Sequence, residues 1–282
     1  MNHSVNTLRG LVLVVLAVGV LAQPVIGAGQ TFRSRASEIA YTGQFTDEDV
    51  KAEVAFGREV AARILGKYRL VRDDELTRYV NLVGRSVAMH CRRPELAFRF
   101  AVLDSSSINA YAAPGGYIFV TRGALDKLSD EAELAGVLAH EIAHAAERHI
   151  VKELNIKGSE QSAAAGIAHL LGAMGDPTRV AFKQAVDKAM AILFEKGYKK
   201  RDEFEADKTG TLMLAATGYD PAALSRYLER IEKVRTDEVK ILNDTHPEYD
   251  KRLAALLEVL AVNGLEKINN PTVKQRYEKY VH

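Results

Sequence analysis

The sequence predicts an α+β fold that is mostly helical, with one small antiparallel sheet. Apolar residues recur at helical spacing over most of the chain beyond position 47. The period changes to two only between Leu96 and Thr121. No internal repeat and no long linker divides the remainder of the chain. We therefore expect residues 30–282 to form a single domain.

Composition excludes several classes of protein. The 282 residues are 47% hydrophobic, which is ordinary for a globular core and not for a disordered chain. With 38 Lys and Arg against 37 Asp and Glu, the net charge of +1 gives no indication of a nucleic-acid partner. Cys91 is the only cysteine, which excludes an internal disulfide and a thiolate-rich zinc site. Any bound metal is therefore expected to have His, Asp or Glu ligands.

The first 28 residues are predicted to be a secretory signal peptide. An unbroken aliphatic run from Leu11 to Ala22 follows Arg9, and small residues end the segment. This run is shorter than the roughly 20 residues that a membrane-spanning helix needs. Cleavage is expected near Ala22 or Ala28, with an uncleaved anchor as the alternative. The protein is thus predicted to be periplasmic or secreted, and membrane-anchored if the leader is retained.

Hydrophobic periodicity gives the order of the remaining elements. Two scaffold helices are predicted between Asp47 and Met89, and a sheet of about three strands follows them. The strands are expected around 98–102, 108–111 and 117–120, with Pro114-Gly115-Gly116 as the turn between the last two. Helices are then predicted at 130–153, about 161–173, 179–217 with a break near Gly197, 221–234, 248–262 and from Pro271. The apolar segment 162–175 fits a mobile lid, a membrane-surface contact or a core helix.

The strongest chemical signal lies within the helix predicted at 130–153. His140 and His144 are four residues apart, about 400° around a helix, so both imidazoles leave the same face and can bind one ion. Glu141 projects beside that ion, where a general base for a metal-bound water is needed. The alternative is a pair of solvated surface histidines, but the flanking residues are small or aliphatic. His149 would lie about 180° from His140 on a continuous helix and is expected to be structural.

A third ligand is predicted on a later helix. A catalytic zinc takes three protein ligands and keeps one position open. Glu203 and Asp207 share a helix face by their i,i+4 spacing, whereas Glu205 points away. Glu203 is therefore expected to bind the metal and Asp207 to hold the tautomer of a ligand imidazole. A solvated charged helix face would be the alternative if the upstream motif were absent.

Four stretches together resemble the membrane-associated and periplasmic gluzincin peptidases of zinc metallopeptidase family forty-eight. They are NAYAAPGGYIFVTRGAL at 109–125, LAHEIAHAAERH at 138–149, RDEFEADKTG at 201–210 and THPEYDKRL at 245–253. The resemblance implies a zincin-like metallopeptidase domain whose small sheet lies beside the active-site helix. It also implies one zinc ion per chain, bound by His140, His144 and Glu203, with Glu141 as the base.

Two further expectations come from the resemblance alone. The strand after the Pro-Gly-Gly turn, Tyr117 to Val120, would receive an extended substrate by strand addition. The histidine before Pro247, His246, is similar to one that approaches the zinc in some members of the family. It would be a fourth ligand that closes the site or an oxyanion donor in catalysis, and a simple turn residue is the third option.

The sequence therefore predicts a zinc endopeptidase. Its expected substrates are unfolded or misfolded cell-envelope proteins, a role that the family resemblance implies, together with an association with the membrane surface or an envelope complex. The competing prediction is a zinc-containing chaperone or adaptor whose site is held shut and which binds its clients without cutting them.

Overall fold

The computed structural model describes residues 46–156, 176–234 and 237–282 of the chain. Over these residues the predicted mostly helical α+β fold is confirmed. The helices are α1 (Asp47–Lys67), α2 (Asp74–Ala88), α3 (Arg122–Leu125), α4 (Glu131–Ala146), α5 (His149–Glu153), α6 (Asp176–Ala191), α7 (Lys200–Thr217), α8 (Ala223–Ile231), α9 (Lys240–Thr245), α10 (Tyr249–Val262) and α11 (Lys274–Val281). The strands are β1 (Arg99–Leu103), β2 (Ala110–Ala113) and β3 (Tyr117–Thr121). The predicted leader and the apolar segment 162–175 lie outside the described residues.

The sheet is mixed, so the prediction of an all-antiparallel sheet was wrong. The strand order is β1-β3-β2, with β1 parallel to β3 and β2 antiparallel to β3. Because β3 lies in the middle, Tyr117 to Val120 pair on both sides and offer no free edge to a substrate. The alternation of apolar residues locates strands but contains no information about their order. The free edge beside α4 belongs to β2 instead.

Helix α1 is fixed at its start and packs against the turn between β2 and β3. The Thr46 hydroxyl accepts from the Asp49 amide at 3.1 Å, and the Asp49 carboxylate accepts from the Thr46 amide at 3.0 Å, which is a capping box. One face of the helix is buried through Phe56, Val60 and Ile64. Gly57 lies on this helix where the backbone of the turn passes very close to it.

Replacing Gly57 by Ala is expected to destabilise the protein. An added methyl group would lie 1.8 Å from the carbonyl oxygen of Pro114, so helix and turn must separate. Overpacking of this kind costs about 1–3 kcal/mol of unfolding free energy. The matched control is Gly66→Ala on the same helix, where a methyl group meets nothing within 4 Å. Urea denaturation is expected to give a less stable Gly57→Ala and a Gly66→Ala that gains about 0.5–1 kcal/mol from helix propensity.

Helix α4 is the central element of the core. Every residue from Glu131 to Ala145 is buried, and α2, α7 and α8 pack around the helix. Gly210 allows the closest of these contacts, because a methyl group there would lie 3.0 Å from the amide nitrogen of His140. The small residue thereby lets α7 approach the segment of α4 that contains the histidines.

Two predicted helices differ from the structure. The helix predicted at 130–153 stops at Ala146, and Arg148 adopts a left-handed conformation (φ 59°) before α5 begins. The helix predicted at 179–217 is divided into α6, a π-helical turn at Ile192–Lys196 and α7, which begins beyond Gly197 as expected. Among the described residues, no helix combines the length and the apolar character needed to cross a membrane.

Candidate metal centre and active site

Helix α4 presents two histidine side chains to one point. Asp130 caps the start of the helix, and its carboxylate accepts from the Glu133 amide at 2.9 Å. One turn before the helix ends, the Nε2 atoms of His140 and His144 lie 3.0 Å apart, and both rings are buried. The i,i+4 spacing therefore has the geometric effect expected from the sequence.

Helix α7 brings a carboxylate to the same point. The Oε1 atom of Glu203 lies 3.3 Å from Nε2 of His144, and its Oε2 atom lies 3.6 Å from Nε2 of His140. Glu203 is 2% exposed, so its charge is removed from water. The solvated-face alternative for this acidic stretch does not hold at Glu203.

His246 also lies in the site, directly after α9. Its Nδ1 atom is 3.0 Å from both carboxylate oxygens of Glu203, and its side chain is buried. His140, His144, Glu203 and His246 each offer one ligand atom, and these atoms all lie within 4.8 Å of one another. His246 is therefore part of the cluster and not an exposed turn residue.

An ion pair supports the cluster from behind. Asp207 Oδ1 lies 2.9 Å from Nδ1 of His140, in the place predicted for a carboxylate that holds a tautomer. Arg252 on α10 contacts both Asp207 oxygens, at 2.7 and 2.8 Å, and Glu203 Oε2 at 3.1 Å. Sequence reasoning missed Arg252, although it stands six residues after His246 within the stretch 245–253.

The set of donors fits a cation. Because the Asp207 carboxylate accepts at Nδ1 of His140, that nitrogen carries the proton and the lone pair on Nε2 faces the cluster. The lone pair on Nε2 of His144 and the charge of Glu203 face the same point. Electron-pair donors at such distances repel one another unless a positive charge lies between them, and imidazole with carboxylate suits a divalent transition metal.

Burial and neighbouring charges set the charge states of these groups. Burial lowers the pKa of His144 well below its usual value, which keeps the imidazole in the neutral form that a metal ligand requires. Burial alone would raise the pKa of Glu203, but His246 and Arg252 hold it well below its usual range. Glu203 therefore stays ionised.

Glu141 differs from Glu203 in its surroundings. Burial raises the pKa of Glu141, as a general base needs. Its side chain lines the same cavity as His140 and His246. In the part of the chain that the structure describes, its Oε2 atom has no hydrogen-bond partner. Glu141 thus has a free acceptor atom next to the cluster.

Tyr198 links the cluster to the free edge of the sheet. Its ring stacks on His144 with centroids 3.8 Å apart, and its hydroxyl donates to the carbonyl oxygen of Ala112 at 3.3 Å. The Ala110 amide donates to the side chain of Asn109, so Ala110 and Ala112 direct their main-chain groups away from β3. Sequence reasoning missed Tyr198, since no spacing relates it to the His-Glu-x-x-His motif.

Two small cavities border the cluster among the described residues. The cavity beside His140, Glu141 and His246 has a volume of about 30 Å³, and the cavity beside His144 and Tyr198 has about 10 Å³. Such volumes hold a water molecule or two and no peptide.

His149 lies next to His144, and not on the opposite side of the helix as its sequence position suggests. The prediction that it faces away from the histidine pair was wrong, because α4 ends at Ala146 and the chain turns back at Arg148. Its Nδ1 atom lies 2.8 Å from Nδ1 of His144, and its Nε2 atom lies 3.3 Å from Glu205 Oε2. It does not belong to the four-residue cluster.

This arrangement, two histidines of a His-Glu-x-x-His helix with a glutamate from a second helix, is that of a gluzincin-type metallopeptidase centre. The chain matches the profile of peptidase family M48 over residues 74–260. The chain belongs to this family, whose members are metal-dependent peptidases, and the resemblance seen in the sequence is confirmed.

Several characterised proteins are similar to the chain. The beta-barrel assembly-enhancing protease of Escherichia coli (strain K12) is 30% identical over 214 residues, which cover 72% of this chain and 42% of that protein. The mitochondrial metalloendopeptidase OMA1 of Arabidopsis thaliana is 28% identical over 163 residues, or 58% of this chain and 32% of that protein. Its human counterpart is 29% identical over 172 residues, or 55% and 31%. The chain thus spans about two fifths of the length of the beta-barrel assembly-enhancing protease.

Proposed function

We propose that the chain is a zinc-dependent endopeptidase that hydrolyses peptide bonds of unfolded or misassembled cell-envelope proteins. The observation that carries the proposal is the convergence of His140, His144 and Glu203 with the free carboxylate oxygen of Glu141 beside them. In the proposed site the first three residues bind one zinc ion. Asp207 holds His140 in the required tautomer.

The metal and the residues around it have separate roles in the proposed hydrolysis. Zinc, when bound, supplies a Lewis acid that lowers the pKa of water and polarises the scissile carbonyl. Glu141 accepts the proton of the attacking water at its free oxygen and passes it to the leaving amine. Arg252 contacts the carboxylates of both Glu203 and Asp207, and together with His246 at Glu203 it favours their ionised forms in the buried site.

An extended substrate is proposed to bind along β2. This strand replaces Tyr117 to Val120 as the receiving edge, because Ala110 and Ala112 turn their main-chain groups outward. The Tyr198 hydroxyl must leave the Ala112 carbonyl before a peptide amide can take its place. Main-chain pairing of this kind gives affinity with little sequence preference, which suits unfolded proteins as substrates.

The cell envelope is proposed as the place of action. The predicted leader supports export to the periplasm or the exterior, with membrane attachment if it is retained. One relative is named for enhancing β-barrel assembly, which supports a role in quality control and an association with an envelope complex. Neither composition nor charge supports a nucleic-acid partner.

Removal of the metal tests this proposal. The zinc-loaded protein is expected to cleave unfolded casein, and a chelator followed by dialysis is expected to abolish cleavage. Readdition of one equivalent of zinc is expected to restore it, since the proposed reaction depends on the ion as its Lewis acid. Cleavage that survives complete removal of the metal would contradict the proposal.

The contact of His246 with Glu203 favours a second candidate, the zinc-containing chaperone or adaptor with a shut site. His246→Ala separates the two functions. Under the endopeptidase proposal His246 acts as a gate on Glu203, so the variant keeps or raises casein cleavage. Loss of cleavage in this variant alone would assign His246 a catalytic role. No cleavage by either protein, with one zinc bound to each, would favour the chaperone.

A further inference from the structure

A break in the chain brings a third histidine onto the metal cluster. Arg148 is left-handed, and this single residue turns the chain so that His149 faces His144 instead of continuing the helix. The two Nδ1 atoms are 2.8 Å apart, and the ring planes meet at 75°. Both rings are buried, so no bulk water competes for the contact.

The conformation at Arg148 is held by a buried ion pair. Its Nε atom lies 2.9 Å from Oε2 of Glu53 on α1, and Glu53 is fully buried. Glu53 also binds Arg93 at 3.0 Å and accepts from the Gly115 amide at 3.3 Å. A left-handed conformation is unfavourable for a residue with a side chain, so its persistence requires such support.

The protons of the two rings follow from the geometry. Nε2 of His144 faces His140 and Glu203, so its lone pair is the one that reaches a metal and its Nδ1 atom carries the hydrogen. Nδ1 of His149 must then accept, which leaves the hydrogen of His149 on Nε2. That nitrogen lies 3.3 Å from the Glu205 carboxylate, which accepts it.

We infer that His149 is a positioning residue that holds His144 in its metal-binding tautomer and orientation, with Glu205 as the outer acceptor. The inference rests on the proposed metal centre and deepens it. Asp207 does the same for His140, so each histidine ligand has a partner of its own on its second nitrogen.

His149 and Glu205 could instead take part in a second metal site, but the proton assignment given above is incompatible with that role. His149, Asp202 and Glu205 place one ligand atom each within 4.8 Å and could hold a second metal. A metal on Nε2 of His149 would put the hydrogen of that ring on Nδ1, facing the hydrogen on Nδ1 of His144. The two sites therefore exclude each other, and a stoichiometry of one metal per chain is expected.

The test is the zinc affinity of the full chain, measured by competition with a chromogenic chelator. His149→Phe keeps the ring volume but removes the acceptor, and it is expected to weaken zinc binding about 10–100-fold. His149→Asn places an amide oxygen near the position of Nδ1 and is expected to bind within about threefold of the wild type. A role in packing alone would predict the reverse order.

Two controls keep a folding defect separate from a metal effect. Glu205→Ala alters a half-exposed side chain with little risk to folding, and it is expected to weaken zinc binding less than His149→Phe. Glu229→Ala removes an exposed carboxylate on α8 and is expected to leave the affinity unchanged. Thermal melting of each metal-free variant reports its folding independently.

The outcomes are distinct. Equal zinc affinity in wild type and His149→Phe, with binding still abolished by His140→Ala, would overturn the positioning role and leave the proposed metal centre intact. Binding of two equivalents of zinc by the wild type, with one equivalent lost in His149→Phe, would overturn the positioning role and indicate a second metal site at His149. Zinc binding that His140→Ala does not change would overturn both the metal centre and this inference.

Discussion

Replacing Glu141 by Gln is expected to lower casein hydrolysis by about 10²–10⁴-fold, the usual contribution of general acid–base catalysis. The amide cannot accept the proton of the attacking water, although it has nearly the same size and can stay in the same buried position. Zinc binding is expected to stay at one equivalent, because Glu141 is not among the four residues whose ligand atoms converge. Initial rates of casein cleavage and metal analysis of the same samples measure both effects.

The control for this experiment is Glu147→Gln, at the residue that directly follows the same helix. It changes a nearby carboxylate that lies outside the cluster, and it is expected to leave the cleavage rate close to that of the wild type. Retention of cleavage in Glu141→Gln would contradict the assignment of the base. Loss of zinc in that variant would indicate a ligand role instead.

Replacing Glu53 by Gln is expected to lower the free energy of unfolding by about 3–5 kcal/mol, the cost of removing one partner of a buried ion pair. Arg93 and Arg148 are 1% and 7% exposed, so the loss of the Glu53 charge removes a buried carboxylate partner from both guanidinium groups, while Arg93 keeps its contact with Glu95. The turn at Gly115 loses a charged acceptor as well. Urea denaturation of the metal-free protein gives the free energy directly.

Glu48→Gln on the same helix is the matched control. Glu48 is exposed, so its replacement is expected to change the free energy of unfolding by no more than about 0.5 kcal/mol. A Glu53→Gln variant as stable as this control would show that the buried arginines do not depend on Glu53. Such a result would also contradict the proposal that this ion pair holds Arg148 in its left-handed conformation.

Short-range spacing explains which parts of the fold were predictable. The two scaffold helices between Asp47 and Met89 follow from apolar periodicity and appear as α1 and α2. The order of the strands could not be predicted, because the alternation of apolar residues identifies each strand separately and does not show which strands pair. The break at Arg148 had no signal either, since neither glycine nor proline marks it and a distant ion pair on Glu53 supports it.

The same distinction applies to the site. His140 and His144 follow from one helical spacing and Glu203 and Asp207 from another, and the structure brings all four side chains together. Residues that reach the cluster through tertiary contacts escaped sequence reasoning. Arg252, Tyr198 and His149 are of this kind, and His149 was misplaced because a continuous helix was assumed.

A zinc anomalous difference map from crystals of the loaded protein shows whether one metal ion binds between α4 and α7. We expect a single peak contacted by Nε2 of His140, Nε2 of His144 and the carboxylate of Glu203, at the roughly 2.0–2.2 Å of zinc–nitrogen and zinc–oxygen bonds. A peak bound only by His149, Asp202 and Glu205, or no peak at the first group, would contradict this expectation.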